Sequence, residues 1–217
     1  MTDLARRPLR TRRTKWANGM AGWLVAKGAT PNQISIASIA CAAVGGLAFV
    51  LAGWVSSVPA SMAAYLLAIL GIQGRLLCNL FDGMVAIEGG RKTKSGELFN
   101  ELPDRVSDVL IFLGAGFSVP ESRWLPHLGW GAAVVSLIVA YVRALGASAG
   151  AGQCYIGPMA KPHRMALMTA ASLAAAIACP WHRDREVVAT ALAAVIVGGL
   201  VTIVRRTRVV IRTLEES

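Results

Sequence analysis

Cysteine and histidine are scarce in this sequence of 217 residues, which has four cysteines and three histidines. The cysteines are Cys41, Cys78, Cys154 and Cys179. They lie far apart, and no pair has the spacing of zinc ligands or of a redox motif. The histidines form no ligand set, since His127 and His182 fall in two different loops. The sequence therefore does not indicate a zinc or thiol site, and we interpret the cysteines as small apolar packing residues.

Two further features are missing from the sequence. The first 30 residues are basic and contain no cleavable apolar core, so we expect no secretory signal. No internal repeat is visible, whereas transporters are often built from inverted repeats. This absence disfavours a transporter, although an ion pathway stays open as an alternative.

Hydrophobic residues are abundant: they make up 55% of the chain, and the mean hydropathy is +0.54. Soluble domains of this size rarely reach that hydrophobicity, and several apolar runs approach membrane-spanning length. We predict six spans, over residues 33–55, 61–87, 96–118, 131–149, 165–178 and 187–204. The predicted fold class is an all-α integral membrane protein with one six-helix domain over residues 31–206, between a basic segment (1–30) and a tail (207–217).

The basic segment contains a candidate interfacial helix. In residues 13–26, Trp16, Met20, Trp23 and Leu24 fall on one helical face, which is typical of a helix that lies on the membrane surface. Thr30 followed by proline then gives a helix cap and a first helical residue for the first span.

The net charge of +10 could suggest a nucleic-acid partner, but its distribution argues against one. Most of the Lys and Arg residues lie before the first span, in the loop before residue 96, near residues 161–164, and after residue 204. The segments on the opposite side contain only Arg123, Arg183 and Arg185. The positive-inside rule then predicts a bacterial inner-membrane protein with both termini in the cytoplasm.

Acidic residues are few, yet six of the twelve lie between Asp82 and Asp108, within or beside predicted spans. An ionisable side chain at membrane depth costs ~2.5–3.5 kcal/mol on insertion scales, so such a cluster indicates function. By helical geometry, Asn79 and Asp82 share one face of the second span, within about 60°. Asn100, Glu101, Asp104 and Asp108 share a face of the third span.

The second and third spans are joined by a short loop, so we expect antiparallel neighbours whose polar faces converge in the cytoplasmic third of the membrane. Carboxylate and amide oxygens suit hard cations such as Mg²⁺, Mn²⁺ or Ca²⁺. Gly83 and Gly96 lie where a missing side chain lets a bulky ligand approach the backbone.

At this point the sequence resembles a known family. Residues 79–87 read NLFDGMVAI, and after eight further residues positions 96–104 read GELFNELPD. This is similar to the signature DxxDGxxAR, about eight residues, then GxxxDxxxD, of the CDP-alcohol phosphotransferases. The resemblance implies six spans with cytoplasmic termini and transfer of a substituted phosphate from a CDP-linked donor, usually CDP-diacylglycerol, to an alcohol, with release of CMP in phospholipid synthesis.

The resemblance also implies roles for particular residues. Two divalent ions, Mg²⁺ or Mn²⁺, would lie on the donor diphosphate, and Asp104 would accept the proton of the attacking hydroxyl. The expected metal ligands are Asn79, Asp82, Asn100, Asp104 and Asp108; the expected catalytic residues are Asp104 and Asp108; the expected donor-binding residues are Gly83, Ala86, Arg91 and Gly96. Lys161 and Arg164 are candidates for binding a phosphorylated or anionic acceptor. A homodimer is expected from the family.

The chain departs from the signature at three positions: asparagine replaces aspartate at 79 and 100, and Ile87 replaces arginine. A divergent bacterial branch of the family has a similar pattern. Glu101 and Asp108 could restore the lost charge, and a register shifted to Asp104 and Asp108 is a second arrangement. Three readings stay open: an active phosphotransferase, a relative that binds nucleotide or metal without turnover, and an ion pathway. We expect Arg75 and Arg105 to form ion pairs with the acidic face.

Overall fold

The computed structural model describes residues 14–89 and 96–216, and in these ranges the chain is helical, without strands. The helices are α1 (Lys15–Ala26), α2 (Pro31–Trp54), α3 (Val58–Glu88), α4 (Gly96–Gly116), α5 (Leu125–Ser148), α6 (Lys161–Ala178) and α7 (Asp184–Glu215), and a 3-10 turn (Cys179–Trp181) follows α6. The predictions for residues 1–13 and for Arg91 lie outside the described residues.

Helix starts follow the local chemistry of the sequence. The Thr30 hydroxyl accepts a hydrogen bond from the Gln33 amide (3.3 Å), and the Gln33 side chain accepts one from the Thr30 amide (3.0 Å). This capping box satisfies two backbone donors that would otherwise lack partners at the start of α2. Proline stands in the first turn of α2, α3, α5 and α6, where its missing N–H costs nothing.

Five helices are long and apolar enough to cross a membrane: α2, α3, α5, α6 with its following turn, and α7. Helix α4 lies outside this set among the described helices; it carries several charged residues and packs against α2 and α5. The structure thus confirms a membrane-type helical fold, and α4 as a sixth span stays a prediction.

Two helix boundaries differ from the predicted spans by more than four residues. Helix α5 begins at Leu125 rather than near 131, because the Ser122 hydroxyl accepts the Leu125 amide (3.1 Å) and Pro126 suits a first turn. Helix α7 continues to Glu215, well past the predicted end near 204. No proline or glycine follows Gly199, so nothing in the sequence interrupts that helix.

Glycines bring the helices of the bundle close together. Gly45 and Gly71 face each other between α2 and α3, and a Cβ added to Gly71 would lie 2.5 Å from the Gly45 backbone and 2.8 Å from the Cys41 carbonyl oxygen. Gly46 approaches α4, where an added Cβ would lie 3.1 Å from the Leu110 carbonyl carbon. Gly45 and Gly46 therefore permit the close helix approach that is usual for helices packed in membranes.

Helix α1 docks on α3 through small residues. Ala17 and Ala21 are fully buried, in a cluster that includes Phe81. Trp16 and Trp23 remain 51% and 55% exposed, and Trp16 makes an edge-to-face contact with Phe81 (6.0 Å between centroids). The predicted helix is therefore present, with alanines against the bundle and tryptophans outward; its position on a membrane surface stays a prediction.

The packing of α2 on α3 predicts a stability difference between two glycine substitutions. Gly71→Leu would overpack the α2–α3 contact and should lower the free energy of unfolding by about 1–3 kcal/mol. Gly22→Leu is the matched control, because a Cβ at Gly22 meets no atom within 4 Å. Thermal unfolding in detergent measures both; equal midpoints for the two variants would contradict the close contact.

Candidate active site

A cavity of about 520 Å³ opens among α3, α4, α5, α6 and α7. Its polar and charged lining residues are Gln73, Asn79, Asp82, Asn100, Glu101, Asp104, Arg105, Arg143, Tyr155, Lys161, Arg164 and Arg206. Leu76, Leu77, Leu80 and Val139 give it an apolar wall. Helix α2 packs against both α3 and α4, while α3 and α4 approach each other less closely. The two helices are thus not packed on each other along their lengths, but their polar side chains meet in the cavity, where Asn79 donates to Asp104. The depth of this site in the membrane stays a prediction.

Asp82 is held from the side of α2. Its carboxylate is buried and accepts a hydrogen bond from the Ser35 hydroxyl (2.8 Å). Ser35 lies one turn into α2, so the capping box at Thr30 also sets the position of this donor. The contact orients Asp82 on the cavity wall beside Gly83.

Asp104 lies at the centre of the polar side chains. It is 4% exposed, and one carboxylate oxygen accepts a hydrogen bond from the Asn79 amide (2.7 Å). The other oxygen accepts a charged hydrogen bond from the Lys161 ammonium, at the start of α6. Arg75 and Arg105 lie 3.5 and 3.8 Å from the same carboxylate. Asp104 therefore connects α3, α4 and α6.

Asp108 is one turn further along α4 and forms a buried ion pair with two arginines. Its oxygens lie 2.5 Å from Arg75 and 2.6 Å from Arg164, and all three side chains are at most 1% exposed. Arg75 also donates to the Asp104 carbonyl oxygen (3.3 Å). The ion pairing expected for Arg75 is confirmed. Asp108, unlike Asp104, is not among the residues that line the cavity, so its position favours a positioning role over metal ligation, and its catalytic role stays a prediction.

Glu101 pairs with one cation on α5 and with one on its own helix. Both of its oxygens lie 2.6 Å from the Arg143 guanidinium, and one lies 3.3 Å from Arg105, which confirms the ion pairing expected for Arg105. Arg143 also donates to the Gln153 side chain (2.8 Å) and lies over the Tyr155 ring, 5.6 Å from its centroid. These contacts tie the loop before α6 to the cavity wall.

The remaining predicted site residues are distributed unevenly. Gly83 and Asn100 line the cavity, whereas Ala86 and Gly96, although described, are not among its lining residues. Lys161 and Arg164 line it, but each is engaged by a carboxylate of α4. Their assigned roles in binding metal, donor and acceptor stay predictions.

The metal-binding capacity of the cavity rests on mixed ligands. In residues 14–89 and 96–216, no group of three or more His, Cys, Asp or Glu side chains could hold an ion. Two carboxylates (Asp82 and Asp104) and two amides (Asn79 and Asn100) nevertheless line one cavity. Carboxylate and amide oxygens are ligands that Mg²⁺ and Mn²⁺ accept, so the residues present fit a divalent ion with few charged ligands.

Arg206 is a cavity residue that the sequence analysis does not single out. It is 3% exposed and donates to the carbonyl oxygens of Ile156 and Val139, both at 2.9 Å. A signal was present in the sequence. Val195, Gly199, Thr202 and Arg206 recur at alternating spacings of four and three, the period of a buried helix face. Gln153 and Tyr155 lie in an irregular loop, where no such period exists.

These features define a helical membrane protein with a cleft of charged and polar side chains among α3, α4, α5, α6 and α7. The fold is that of phosphatidylinositol phosphate synthase (PgsA1) from Mycobacterium tuberculosis. The structure of that protein with CDP-DAG bound has a TM-score of 0.75 and 20% identity, covering 91% of this chain and 94% of that one. Its structure with manganese and citrate has a TM-score of 0.73 and 20% identity, covering 89% and 88%.

Sequence comparison gives two further relatives. The archaetidylinositol phosphate synthase of Methanothermobacter thermautotrophicus is 31% identical over 128 residues, which are 57% of this chain and 60% of that protein. The inner membrane protein YnbA of Escherichia coli K12 is 28% identical over 159 residues, 73% and 74% of the two chains. No protein-family model matches the chain. The resemblance to the CDP-alcohol phosphotransferases is confirmed at the level of the fold of one phosphatidylinositol phosphate synthase and of partial sequence similarity to one archaetidylinositol phosphate synthase.

The buried ion pair predicts a large stability loss on neutralising Asp108. Asp108→Asn would leave the buried Arg164 without a carboxylate partner and Arg75 with only its 3.5 Å contact to Asp104, and breaking a buried pair costs ~3–5 kcal/mol. The matched control is Glu216→Gln, the same chemical change in the exposed pair with Arg212, which should have little effect. Thermal unfolding of both variants measures the difference. An Asp108→Asn variant as stable as Glu216→Gln would show that the buried pair does not anchor the helices.

Proposed function

We propose that this chain is a metal-dependent phosphotransferase of the membrane that transfers a phosphatidyl group from CDP-diacylglycerol to an alcohol and releases CMP. The observation that carries the proposal is the cavity in which Asp82, Asp104, Asn79 and Asn100 meet. These residues occupy four of the signature positions, and all four line the same cavity. The fold is shared with a synthase whose structure contains CDP-DAG.

The apolar and polar parts of the cavity lining support a lipid donor with a charged headgroup. Its apolar wall, from Leu76 to Leu80 on α3 and Val139 on α5, lies beside the carboxylates and amides. A diphosphate requires cations, and acyl chains require apolar surface, so both parts of CDP-diacylglycerol find suitable surroundings. Gly83 presents no side chain at the cavity wall, which leaves room for the nucleotide. Ala86, Arg91 and Gly96 remain proposed donor contacts on the basis of the resemblance.

The reaction is an in-line displacement at the phosphorus that carries the lipid. The acceptor hydroxyl oxygen forms a bond to that phosphorus, the bond to the CMP oxygen breaks, and the hydroxyl proton passes to Asp104. Asn79 orients Asp104 through its amide hydrogen bond, and Ser35 orients Asp82. A divalent ion held by Asp82, Asp104, Asn79 and Asn100 would supply the charge that stabilises the entering and leaving oxygens.

The acceptor is proposed to be anionic, as a phosphorylated alcohol would be. The residues that line the cavity include five cations and three carboxylates, so the cavity is positively charged overall. Arg164 is buried beside it, and its Nε has no hydrogen-bond partner among the described residues. A buried donor without a partner favours a ligand that accepts a hydrogen bond. Phosphate oxygens are such acceptors, and arginine binds them with good geometry.

The proposed topology has six spans, with α4 completing the five apolar helices, α1 on the membrane surface, and both termini and the cavity at the cytoplasmic side. The positive-inside rule and the shielding of α4 by α2 and α5 support this arrangement. The six-helix domain is taken as residues 31–206, although α7 itself continues to Glu215. A bacterial inner-membrane location is supported by the relation to an inner membrane protein of E. coli. The homodimer stays a prediction.

The proposal predicts CMP release from CDP-diacylglycerol by the purified chain with Mn²⁺ or Mg²⁺, lost on adding EDTA and restored by excess Mn²⁺. Asp104→Asn removes the proton acceptor and should slow CMP release about 10²–10⁴-fold, the usual contribution of a general base. Chromatographic quantification of CMP, with phosphorylated and neutral alcohols as acceptors, measures both effects. Mass spectrometry of the lipids formed identifies the acceptor.

The control is Glu216→Gln, at an exposed residue that follows the end of α7 and does not line the cavity, and this variant should release CMP at the normal rate. Two results would contradict the proposal. Tight binding of CDP-diacylglycerol without CMP release would indicate a relative that has lost turnover. Mn²⁺ flux into liposomes without nucleotide would indicate an ion pathway.

A further inference from the structure

Lys161 occupies an unusual position for a residue at the first turn of a helix. It lines the cavity, and its ammonium donates to one carboxylate oxygen of Asp104 while the Asn79 amide donates to the other. Both oxygens of the proposed base are therefore engaged by donors from the chain. The Lys161 ammonium therefore lies within the cluster of proposed metal ligands.

The position of Lys161 is determined by a second contact one turn further along α6. Arg164 pairs with Asp108 at 2.6 Å, and both side chains are 1% exposed. Lys161 and Arg164 are three residues apart on α6, and Asp104 and Asp108 are four apart on α4. These spacings place each pair on one helix face, so the two ion pairs lie one above the other. The buried pair thus holds the ammonium against Asp104.

The charges of the cluster show what the ammonium does. Asn79 and Asn100 contribute oxygens without charge, Asp108 is compensated by Arg75 and Arg164, and Glu101 by Arg143. Asp82 and Asp104 remain as the carboxylates at the signature positions. One divalent ion balances these two charges. A second ion beside Asp104 would meet the ammonium, and like charges in a poorly solvated site repel strongly.

We propose that Lys161 serves as a built-in cation that takes the place of one divalent ion, so that this site binds a single Mn²⁺ or Mg²⁺. The inference rests on the proposed function, since it specifies how the same cleft neutralises the donor diphosphate. The inference also accounts for Asn79 and Asn100, because a site that binds one divalent ion fewer requires fewer carboxylates to balance the charge. Lys161 is thereby assigned to the donor phosphates and Asp104 rather than to the acceptor.

The experiment counts bound Mn²⁺ by electron paramagnetic resonance, using the full-length protein in lipid nanodiscs with CDP present. The wild-type chain should bind one Mn²⁺ and show the six-line spectrum of an isolated ion. The triple variant Asn79→Asp, Asn100→Asp, Lys161→Met restores the carboxylates and removes the ammonium. It should bind two Mn²⁺ with a spin-coupled spectrum, because paired ions in such sites lie about 3.5–4 Å apart. Lys27→Met, the same change at an exposed lysine that ends α1, should behave as wild type.

The wild-type spectrum decides the inference even where the triple variant does not fold. Two coupled Mn²⁺ ions in the wild-type chain, or none, would overturn it. CMP release measured on the same samples separates this outcome from the proposed function. CMP release by a protein that binds two Mn²⁺ ions contradicts only the role proposed for Lys161 and leaves the transfer reaction standing. A single bound Mn²⁺ without CMP release contradicts the transfer reaction. Binding of one ion and release with a first-order dependence on Mn²⁺ supports both.

Discussion

The ion pair of Asp108 with Arg75 and Arg164 is the interaction on which the rest of the site depends. Charges removed from water must be compensated, and here one carboxylate serves two guanidinium groups from two other helices. Each partner lies one turn from a residue of the cleft: Arg75 precedes Asn79, Asp104 precedes Asp108, and Lys161 precedes Arg164. The pair thereby sets the relative heights of α3, α4 and α6, and with them the positions of the polar side chains.

Close packing elsewhere makes this arrangement possible. Glycines let α2 approach both α3 and α4, so that Ser35 reaches Asp82 and α4 is shielded despite its charges. On the opposite side, Arg206 of α7 donates to the carbonyls of Val139 and Ile156 and so holds α5 and the loop before α6. Helix α4 is therefore surrounded by apolar helices on its packed faces and by paired charges on its cleft face.

Much of the fold could be predicted from the sequence, because helical period and hydrophobic length are local properties. The six long helices follow from hydrophobic length, and the shared face of Asn79 and Asp82 follows from helical spacing. Partners across helices could not be predicted, since periodicity indicates a face but not the side chain opposite. The contact of Lys161 with Asp104, the compensation of Asp108 by two arginines and the burial of Arg206 all depend on tertiary packing. The signature indicated the family resemblance, whereas the partners of its two aspartates, Ser35 for Asp82 and Asn79 with Lys161 for Asp104, are seen only in the structure.

The most direct test of this account is an anomalous difference map at the manganese edge from crystals of the protein grown with Mn²⁺ and CDP-diacylglycerol. The account predicts manganese density beside Asp82 and Asp104 in the cleft, with the diphosphate in the same cavity and the Arg75–Asp108–Arg164 pair intact. Manganese bound by Asp108 with its arginines displaced would contradict it, as would a cavity that holds neither manganese nor nucleotide.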